Sequence, residues 1–282
     1  MKEALFYERQ RDGAVVCGLC PHACLIFPGK VGLCGVRRNI EGRLLAESYG
    51  CISSLSLDPI EKKPLKRFYP GSLILSVGCY GCNMKCAYCQ NYSISQQKPE
   101  TNAASPEELL RIAENTAGNI GIAFTYNEPL VGVEYILDAA PLFKDAGMKV
   151  VLVTNGMINA EPLETLLPYT DAMNIDVKVF DAARYKELGG DLSTVIKTVE
   201  KCAAVCHVEI TSLIVPGQND GVGDMQALAE WLNGISPEIP LHISRFFPRY
   251  KILDGEPTPV KTMSALAETA REHLKYVYLG NV

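Results

Sequence analysis

The sequence predicts an α/β protein in which a parallel sheet curls toward a barrel, and three observations carry this prediction. From residue 73 onward, short apolar runs alternate with segments of helical periodicity, which is typical of parallel strands joined by crossover helices. The chain has 282 residues, and 48% of them are hydrophobic, which suits one large α/β domain with a small appendage. Two groups of cysteines, one before and one just after the first apolar run, indicate bound metal.

Each predicted strand is followed by a predicted helix. The candidate strands are 73–78, 120–125, 149–154, 172–177, 207–214 and 240–246, and a final strand at 276–279 extends the sheet. The candidate helices are 105–117, 131–146, 161–167, 193–204, 222–234 and 263–274. The first of these helices has the clearest start signal, because Ser105 suits a capping position and Pro106 suits the first helical position.

The composition excludes several classes of protein. The 27 basic and 32 acidic side chains give a net charge of −5, which does not suggest a general binder of nucleic acid or of membrane surfaces. We find no apolar stretch long enough for a membrane span and no apolar core of a secretory signal. Eleven cysteines in such a chain favour metal ligation in a reducing compartment over disulfides, so we expect a cytoplasmic location.

Three cysteines, Cys82, Cys86 and Cys89, follow the first predicted strand with the spacing CxxxCxxC. Their neighbours include Gly81 and Asn83, which form a polar turn and argue against three cysteines that merely pack in the core. Thiolates suit iron–sulfur clusters, and a cubane usually takes four of them. Three ligands close together leave one iron open, where a small molecule can bind and receive an electron.

This spacing, with the aromatic Tyr88 before the last cysteine, resembles the cluster loop of the radical SAM superfamily. The resemblance implies an open, partial (β/α)6 barrel, a [4Fe–4S] cluster on these cysteines, and S-adenosylmethionine chelated by the open iron with its adenine against Tyr88. The longer run from Ser76 to Asn83, followed by Cys89 to Asn91, is most similar to the pyruvate formate-lyase-activating-enzyme-like branch. More narrowly, it resembles the radical SAM member of the AmmeMemoRadiSam system.

The resemblance also implies an activity. One electron enters the cluster, the sulfonium C–S bond breaks, and a 5′-deoxyadenosyl radical abstracts hydrogen from an unidentified substrate. That substrate is a glycine of a partner protein if the chain acts as a glycyl-radical activase, or another molecule if Memo-like and AMMECR-like proteins are its partners. A flavodoxin or ferredoxin is the expected electron donor. Two alternatives remain: an iron–sulfur electron-transfer or scaffold protein, and a zinc-dependent binding module.

Polar residues follow two of the predicted strands at the end where parallel barrels place their chemistry. Asn127 and Glu128 follow the second strand, and they suit either an ammonium group or the cap of the next helix. The resemblance places them at the amino group of S-adenosylmethionine. Thr154 and Asn155 follow the third strand in a run similar to the Asp-Thr-Asn-Gly of the activases, with Val153 in place of the acid.

Asp176 and Lys178 share one face of the fourth strand, because side chains alternate with period two. Opposite charges on an inward face need a ligand or each other. The resemblance assigns both to the S-adenosylmethionine site, together with Asp181 in the next loop; the alternative is an internal salt bridge. On the sixth strand, His242 is the candidate for the ribose contact that activases make with a histidine, since Phe247 occupies the nearest matching position.

A second cysteine group lies near the N-terminus. Its CxxC pair and two further thiols, with glycines that permit tight turns, predict a second metal centre, either zinc or iron–sulfur. The alternative is a set of unligated thiols in a reduced protein. His22 is a possible substitute ligand. The four predicted ligands are Cys17, Cys20, Cys24 and Cys34.

We predict three regions from these patterns: a cysteine-rich metal-binding segment at 1–50, a connector at 51–72 and the barrel at 73–282. The connector contains a basic run with aromatic residues from Ile60 to Gly71. Two interpretations are open for this run. It contacts an anionic substrate, or, as the favoured interpretation, it is a solvated loop over the mouth of the barrel.

Overall fold

The computed structural model describes residues 1–282, and the first part of the chain consists of short antiparallel strands. One three-stranded sheet has the order β1-β6-β5 and another has the order β2-β3-β4. Strands this short are marginally stable on their own, and Val15, Ile26 and Leu44 pack into the main hydrophobic core, so the segment depends on its neighbours for stability. The strands are β1 (Lys2–Glu3), β2 (Tyr7–Arg9), β3 (Val15–Cys17), β4 (Leu25–Ile26), β5 (Arg37–Ile40), β6 (Arg43–Ala46) and β7 (Cys51–Ile52).

The rest of the chain forms an eight-stranded sheet whose parallel strands are connected by helices. The elements are β8 (Ser54–Pro59), β9 (Leu73–Gly78), α1 (Tyr92–Ser95), β10 (Asn102–Ala103), α2 (Pro106–Glu114), β11 (Asn119–Phe124), α3 (Val133–Asp145), β12 (Lys149–Thr154), α4 (Ala160–Leu166), β13 (Ala172–Asp176), α5 (Ala182–Glu187), α6 (Leu192–Ala203), β14 (His207–Ile214), α7 (Val222–Ile235), β15 (Leu241–Arg245), α8 (Val260–Arg271) and β16 (Val277–Gly280). Their order in the sheet is β16-β15-β14-β13-β12-β11-β9-β8, and only β8 runs antiparallel to its neighbour. None of the helices combines the length and apolar character needed to span a bilayer.

Local signals explain where these elements lie. The parallel strands β9, β11, β12, β13 and β14 are buried over most of their length, as expected when helices cover one face and the barrel interior lies behind the other. Strand β10 is exposed and pairs with β7 in a separate two-stranded sheet. Helix α2 starts with a capping box, in which Ser105 Oγ accepts from the Glu108 N–H at 3.2 Å and the Glu108 carboxylate accepts from the Ser105 N–H at 2.8 Å. Four short 3₁₀ helices lie at Arg11–Gly13, Ile60–Lys62, Pro129–Gly132 and Leu167–Tyr169.

The predicted alternation of strands and helices is confirmed, and every predicted strand agrees with the structure to within one residue at each end. The last helix begins at Val260, three residues earlier than predicted, because Pro259 lies at its N-cap. Helices α1 and α5 were not predicted, since four and six residues are too few to show helical periodicity. Strand β8 falls inside the predicted connector, and it adds an antiparallel edge to the sheet.

Residues 60–67, which we call the floor segment, cross the amino ends of the barrel strands. The N–H groups of Lys66 and Arg67 donate to the carboxylate of Glu209, near the start of β14, at 2.9 and 2.7 Å. Leu65 is fully buried. The interpretation of this run as a solvated loop over the barrel mouth is therefore wrong, because part of it is buried and it lies at the end opposite the CxxxCxxC loop.

The sheet has two free edges, β8 and β16, so the barrel is incomplete. Arg67 of the floor segment and Tyr276, which precedes β16, meet at the amino end of the gap between these edges. The Arg67 guanidinium lies 4.1 Å from the Tyr276 ring centroid, and its Nη2 donates to Tyr276 Oη at 3.1 Å. This contact ties the two edges together at that end.

The N-terminal segment packs against the opposite, carboxyl end of the barrel. Its Arg37 forms a fully buried ion pair with Glu134 of α3 at 2.9 Å, and the Leu5 N–H donates to the same carboxylate at 2.7 Å. The Cys82 N–H donates to the carbonyl of Cys34 at 3.2 Å. The two cysteine groups of the sequence are therefore neighbours in the fold.

Candidate functional site

A cavity of about 350 Å³ runs through the barrel from the loops at the carboxyl ends of the strands to the floor segment. Its volume falls in the range of small-molecule sites. Most residues predicted from the sequence to bind cofactors meet in its wall. They are Cys82, Cys86, Tyr88, Cys89, Asn127, Glu128, Thr154, Asn155, Asp176 and Lys178.

The three thiols of the CxxxCxxC loop lie just beyond β9, which delivers the loop to the carboxyl end of the sheet. Cys82 Sγ accepts from Met84 N at 3.4 Å and from Asn155 Nδ2 at 3.7 Å. Cys89 Sγ lies 3.1 Å from Ser95 Oγ. Polar groups thus contact the sulfur atoms of Cys82 and Cys89, and all three cysteines line the cavity.

Three sulfur donors around one cavity fit an iron–sulfur cluster, which soft thiolate ligands favour. Burial raises the pKa of Cys82 and, against an opposing effect of Lys178, that of Cys86, so cluster binding has to displace protons from these thiols. No three His, Cys, Asp or Glu side chains converge at coordination distance in the ligand-free chain.

Glu128 is a fully buried carboxylate at the exit of β11. It accepts hydrogen bonds from Thr154 Oγ1 at 2.6 Å, from the Asn155 N–H at 2.8 Å and from the Leu130 N–H at 3.0 Å. Burial raises its pKa to about 7, although these three hydrogen bonds favour the charged form. Glu128 caps the short helix Pro129–Gly132, which is one of the two roles that the sequence suggested. It also lines the cavity, where a cation can balance its charge.

Two asparagines, Asn127 and Asn155, form hydrogen bonds to the cluster loop. Asn127 Oδ1 accepts from the Cys79 N–H at 3.0 Å, and its Nδ2 donates to the Gly81 carbonyl at 3.2 Å. Asn83, which we did not predict, accepts from Asn155 Nδ2 at 2.9 Å through its side-chain oxygen. These bonds fix the loop on the exits of β11 and β12, so Asn127 and Asn155 act on the loop as well as lining the cavity.

Asp176 and Lys178 lie side by side where β13 ends, with Lys178 Nζ 2.5 Å from Asp176 Oδ2. Burial lowers the pKa of Lys178, but Asp176 and Cys86 outweigh it and the pKa stays above its usual range. Tyr88 is buried beside Phe246 in an edge-to-face arrangement. A charged pair and an apolar ring thus share one wall of the cavity, which suits a ligand with both polar and aromatic parts.

Two predicted cofactor residues lie elsewhere. His242 is the second residue of β15, and its Nε2 donates to the buried Glu209 carboxylate at 2.6 Å near the floor segment, so the predicted ribose contact is wrong. Asp181 accepts from the Arg184 N–H at 2.8 Å and caps α5, outside the cavity wall. His242 lies near the start of β15 and so at the amino end of the barrel, whereas the other predicted cofactor residues lie at the carboxyl ends of the strands.

The four N-terminal thiols line a second, small cavity together with His22. Burial raises the pKa of Cys20 to about 11. His22 Nε2 lies 2.7 Å from the carbonyl of Asn83, so this ring is held against the cluster loop. The fold therefore brings Cys17, Cys20, Cys24 and Cys34, whose sequence positions are 17 residues apart at most, into the wall of one cavity.

The sequence did not identify the polar group at the other end of the main cavity. Asp58 of β8 pairs with Lys63 Nζ at 2.9 Å and accepts from Tyr126 Oη at 2.5 Å. Lys62 contacts the same carboxylate at 3.3 Å. The basic run gave a signal for the two lysines, but only the register of β8 places Asp58 beside them.

Parallel barrels carry their chemistry at the carboxyl ends of their strands. Cys82, Cys86 and Cys89 lie at that end, which is the arrangement of a barrel enzyme that uses thiolate ligands. The family profile described as Radical SAM superfamily matches residues 77–232, which is more than half of the chain. The chain therefore belongs to the radical SAM superfamily, whose cofactors are a [4Fe–4S] cluster and S-adenosylmethionine.

Individual relatives refine this assignment. An uncharacterized protein of Methanocaldococcus jannaschii is 42% identical over 289 residues, covering 100% of this chain and 86% of the relative. The pyruvate formate-lyase-activating enzyme of Clostridium pasteurianum is 27% identical, covering 55% of this chain and 67% of that enzyme. A solved radical SAM methyltransferase from Sphaerobacter thermophilus has a TM-score of 0.57 at 14% identity, covering 75% of this chain and 67% of that chain, which shows a shared fold. The chain is thus an enzyme similar to the activating enzymes.

Proposed function

We propose that Cys82, Cys86 and Cys89 hold a [4Fe–4S] cluster and that the barrel cavity binds S-adenosylmethionine beside it. With both bound, the cluster supplies one electron to S-adenosylmethionine, which yields methionine and a 5′-deoxyadenosyl radical that abstracts hydrogen from a substrate. The observation that carries this proposal is that the three thiols line one cavity with polar residues from three successive strand exits, two of which carry charged side chains. A scaffold or electron-transfer protein has no need of those charges.

Each wall of the cavity has a role in this proposal. Glu128, held by three hydrogen bonds, accepts from the ammonium group of the methionine moiety, and Asn127 keeps the cluster loop next to it. Thr154 and Asn155 fix the orientation of the Glu128 carboxylate. Because these groups are already bonded to one another before the ligand arrives, little reorganisation accompanies binding.

The opposite wall binds the nucleoside. Asp176 and Lys178, a pair with free hydrogen-bonding capacity on both partners, meet the polar atoms of the ribose and the carboxylate, while Tyr88 packs against the adenine. The depth of the cavity and the buried ring exclude water from the position where the radical forms.

Anaerobic reconstitution followed by electron paramagnetic resonance tests the proposal. We expect about four irons on the loop cysteines, from the stoichiometry of a cubane. The signal of the reduced cluster should change when S-adenosylmethionine is added, and 5′-deoxyadenosine should accumulate. An unchanged signal at saturating S-adenosylmethionine contradicts direct chelation, and a cluster without 5′-deoxyadenosine favours the electron-transfer or scaffold alternative.

For the substrate, we propose a protein partner. The support is the similarity to activating enzymes and the loop from Ser76 to Asn83, which resembles the radical SAM member of the AmmeMemoRadiSam system. In that case Memo-like and AMMECR-like proteins are the partners, and a flavodoxin or ferredoxin is the electron donor. Neighbouring genes for both partners, and their recovery with the reconstituted enzyme, are the expected observations; genes for a glycyl-radical enzyme instead favour activase function.

We also propose a second metal centre on Cys17, Cys20, Cys24 and Cys34, either zinc or iron–sulfur, within a metal-binding segment at 1–50. The support is the common cavity of the four thiols and the contact of Cys34 with the cluster loop. Residues 51–72 then connect this segment to the barrel at 73–282. Because strands this short are marginally stable on their own, the metal supplies much of the folding free energy of the segment.

A further inference from the structure

Two lysines share one carboxylate at the floor of the barrel cavity. Lys63 Nζ lies 2.9 Å from Asp58 Oδ2, and Lys62 Nζ lies 3.3 Å from Asp58 Oδ1. Tyr126 Oη donates to Asp58 Oδ2 at 2.5 Å. Both oxygens of the single carboxylate are therefore engaged, and two positive charges face one negative charge.

The two lysines differ in what they can offer a ligand. The side chain of Lys63 is 3% exposed and lies over the ring of Tyr126, 4.4 Å from its centroid. Its ammonium group is therefore engaged by the cavity wall and is not accessible to a ligand. The side chain of Lys62 is 68% exposed and lines the cavity. An ammonium group carries three donors, and the contact with Asp58 uses one of them. Lys62 thus keeps two donors and an unbalanced charge at the cavity floor.

The other charges of the cavity do not neutralise this surplus. Asp176 and Lys178 balance each other at the carboxyl end. Glu128 lies at the same end, where its hydrogen bonds come from Thr154 and from backbone N–H groups. The floor therefore has a net positive charge within a wall of neutral polar groups, and this charge attracts an ion of opposite sign.

The floor is also built with some conformational cost. Tyr126 has a φ of 71°, in the left-handed region that a bulky side chain rarely adopts. Gly78 makes room for its ring, because a Cβ there would lie 3.0 Å from Tyr126 Cδ2. Such backbone strain persists only where the surrounding contacts hold the residue in place, and strained residues of this kind cluster at functional sites. Here it aims the Tyr126 hydroxyl down the barrel at Asp58, where it fixes the carboxylate that positions Lys62.

We propose that Lys62, positioned by Asp58, binds an anionic group of the substrate, a carboxylate or a phosphate, at the floor of the cavity. This inference rests on the proposed function, and it names the chemical class of the substrate. The anion anchors one end of the substrate at the amino end of the barrel. The rest of the molecule then extends through the cavity toward the carboxyl end, where hydrogen abstraction takes place. If the substrate is a protein, an acidic side chain or a phosphorylated residue reaches the floor.

Calorimetric titration of the reconstituted protein, saturated with S-adenosylmethionine, tests the inference. The probes are inorganic phosphate and succinate, each added at constant ionic strength. We compare the unchanged chain with Lys62→Gln, with Lys62→Arg and with Lys261→Gln, a matched control on the exposed face of α8. We expect at least one probe to bind once per chain, and Lys62→Gln to weaken that binding about tenfold, the loss of one charge-assisted contact.

Lys62→Arg should retain binding, and Lys261→Gln should match the unchanged chain. Binding of phosphate alone identifies a phosphorylated substrate, and binding of succinate alone identifies a carboxylate. Equal affinity of Lys62→Gln and the unchanged chain, or no binding of either probe, overturns the inference. The response of the cluster signal to S-adenosylmethionine is recorded on the same samples, so failure of the proposed function is seen separately from failure of the anion site.

Discussion

Asp176 illustrates how one carboxylate can belong to a cofactor site or only to an ion pair. It lies 2.5 Å from Lys178 in the cavity wall, and its side chain is partly exposed. We expect Asp176→Asn to retain the fold and the cluster iron but to weaken binding of S-adenosylmethionine at least tenfold, because a charge-assisted hydrogen bond is lost. Equilibrium dialysis with S-adenosylmethionine measures this effect.

Asp181→Asn is the matched control, since this carboxylate caps α5 outside the cavity. It should leave the affinity for S-adenosylmethionine unchanged. If Asp176→Asn also leaves the affinity unchanged and lowers the melting temperature, the pair with Lys178 is a structural salt bridge.

Glu209 gives the barrel floor a defined dependence on pH. Burial raises its pKa, but hydrogen bonds from His207, His242 and the floor segment outweigh burial and lower it to about 2. The stabilisation is fully present above the ordinary carboxyl pKa of 4.5 and is lost as pH falls through 2. A difference of about 2.5 units corresponds to roughly 3 kcal/mol at pH 7. Glu209→Gln should lose about that amount in urea unfolding.

The same variant should also show a flatter decline of unfolding free energy between pH 5 and about 2, since its amide does not titrate. Glu256→Gln, at an exposed position, serves as the control and should behave as the unchanged chain. A normal acid profile for Glu209→Gln would falsify this role, whereas reduced affinity for S-adenosylmethionine would restore His242 to the cofactor site.

The residue scale shows what sequence can and cannot provide. The spacing of Cys82, Cys86 and Cys89 is a chemical signature that survives without structure, because three thiols in eight residues have few other uses. His242 was misassigned, because it lies near the start of β15, at the amino end of the barrel and away from the cluster loop. Asp58 was missed for a different reason, because a lone acid in a short strand carries no pattern of its own.

At the scale of elements, the contact between the N-terminal segment and the cluster loop depends on Gly81. Its φ is 92°, and a Cβ would lie 2.5 Å from Val36 Cγ1 and 2.8 Å from the Cys34 carbonyl oxygen. We expect Gly81→Ala to cost roughly 2–5 kcal/mol, from backbone strain together with overpacking. Urea unfolding measures the cost, and iron content after reconstitution should fall because the loop is displaced.

Gly71→Ala separates the two causes. This glycine also has a positive φ, 81°, but nothing lies within 4 Å of its Cβ position. It should therefore lose only about 1–2 kcal/mol and keep its iron. Equal losses in the two variants would show that the contact between Gly81 and the N-terminal segment contributes little.

Most elements of the barrel could be predicted because their strands are buried on both faces and read as continuous apolar runs. Strand β8 could not, since its exposed edge position mixes serine and aspartate with leucine. Helices α1 and α5 are shorter than two turns, and tertiary contacts rather than periodicity determine them. The order of the strands follows from the crossover rule, but the route of the floor segment does not.

At the scale of the whole molecule, the two cysteine groups should load metal independently. We expect a variant with Cys82, Cys86 and Cys89 all changed to Ala to retain zinc or iron, because the N-terminal thiols line a cavity of their own. Elemental analysis measures the retained metal. A chelator should then lower the melting temperature of this variant, since the metal stabilises the segment.

A second variant, with Cys202→Ala and Cys206→Ala added to the first, provides the control, because these two thiols lie on and beyond α6, away from both cavities. It should retain the same metal. A folded triple variant that holds neither zinc nor iron would show that the four N-terminal thiols are free.

The contact between Arg67 and Tyr276 fastens the two edges of the sheet at the floor, and no hydrogen bond joins β16 to β8 along the rest of the gap. The two edge strands are therefore held together at the amino end of the barrel and are free to move apart at the carboxyl end. Small twisting motions of the edge strands should then be largest at the carboxyl end, beside the thiols, and smallest at the amino end, beside the floor segment. If the proposed reaction takes place, we expect its products to leave sideways through the open part of this gap, beside the thiols, without breaking the contacts at the floor.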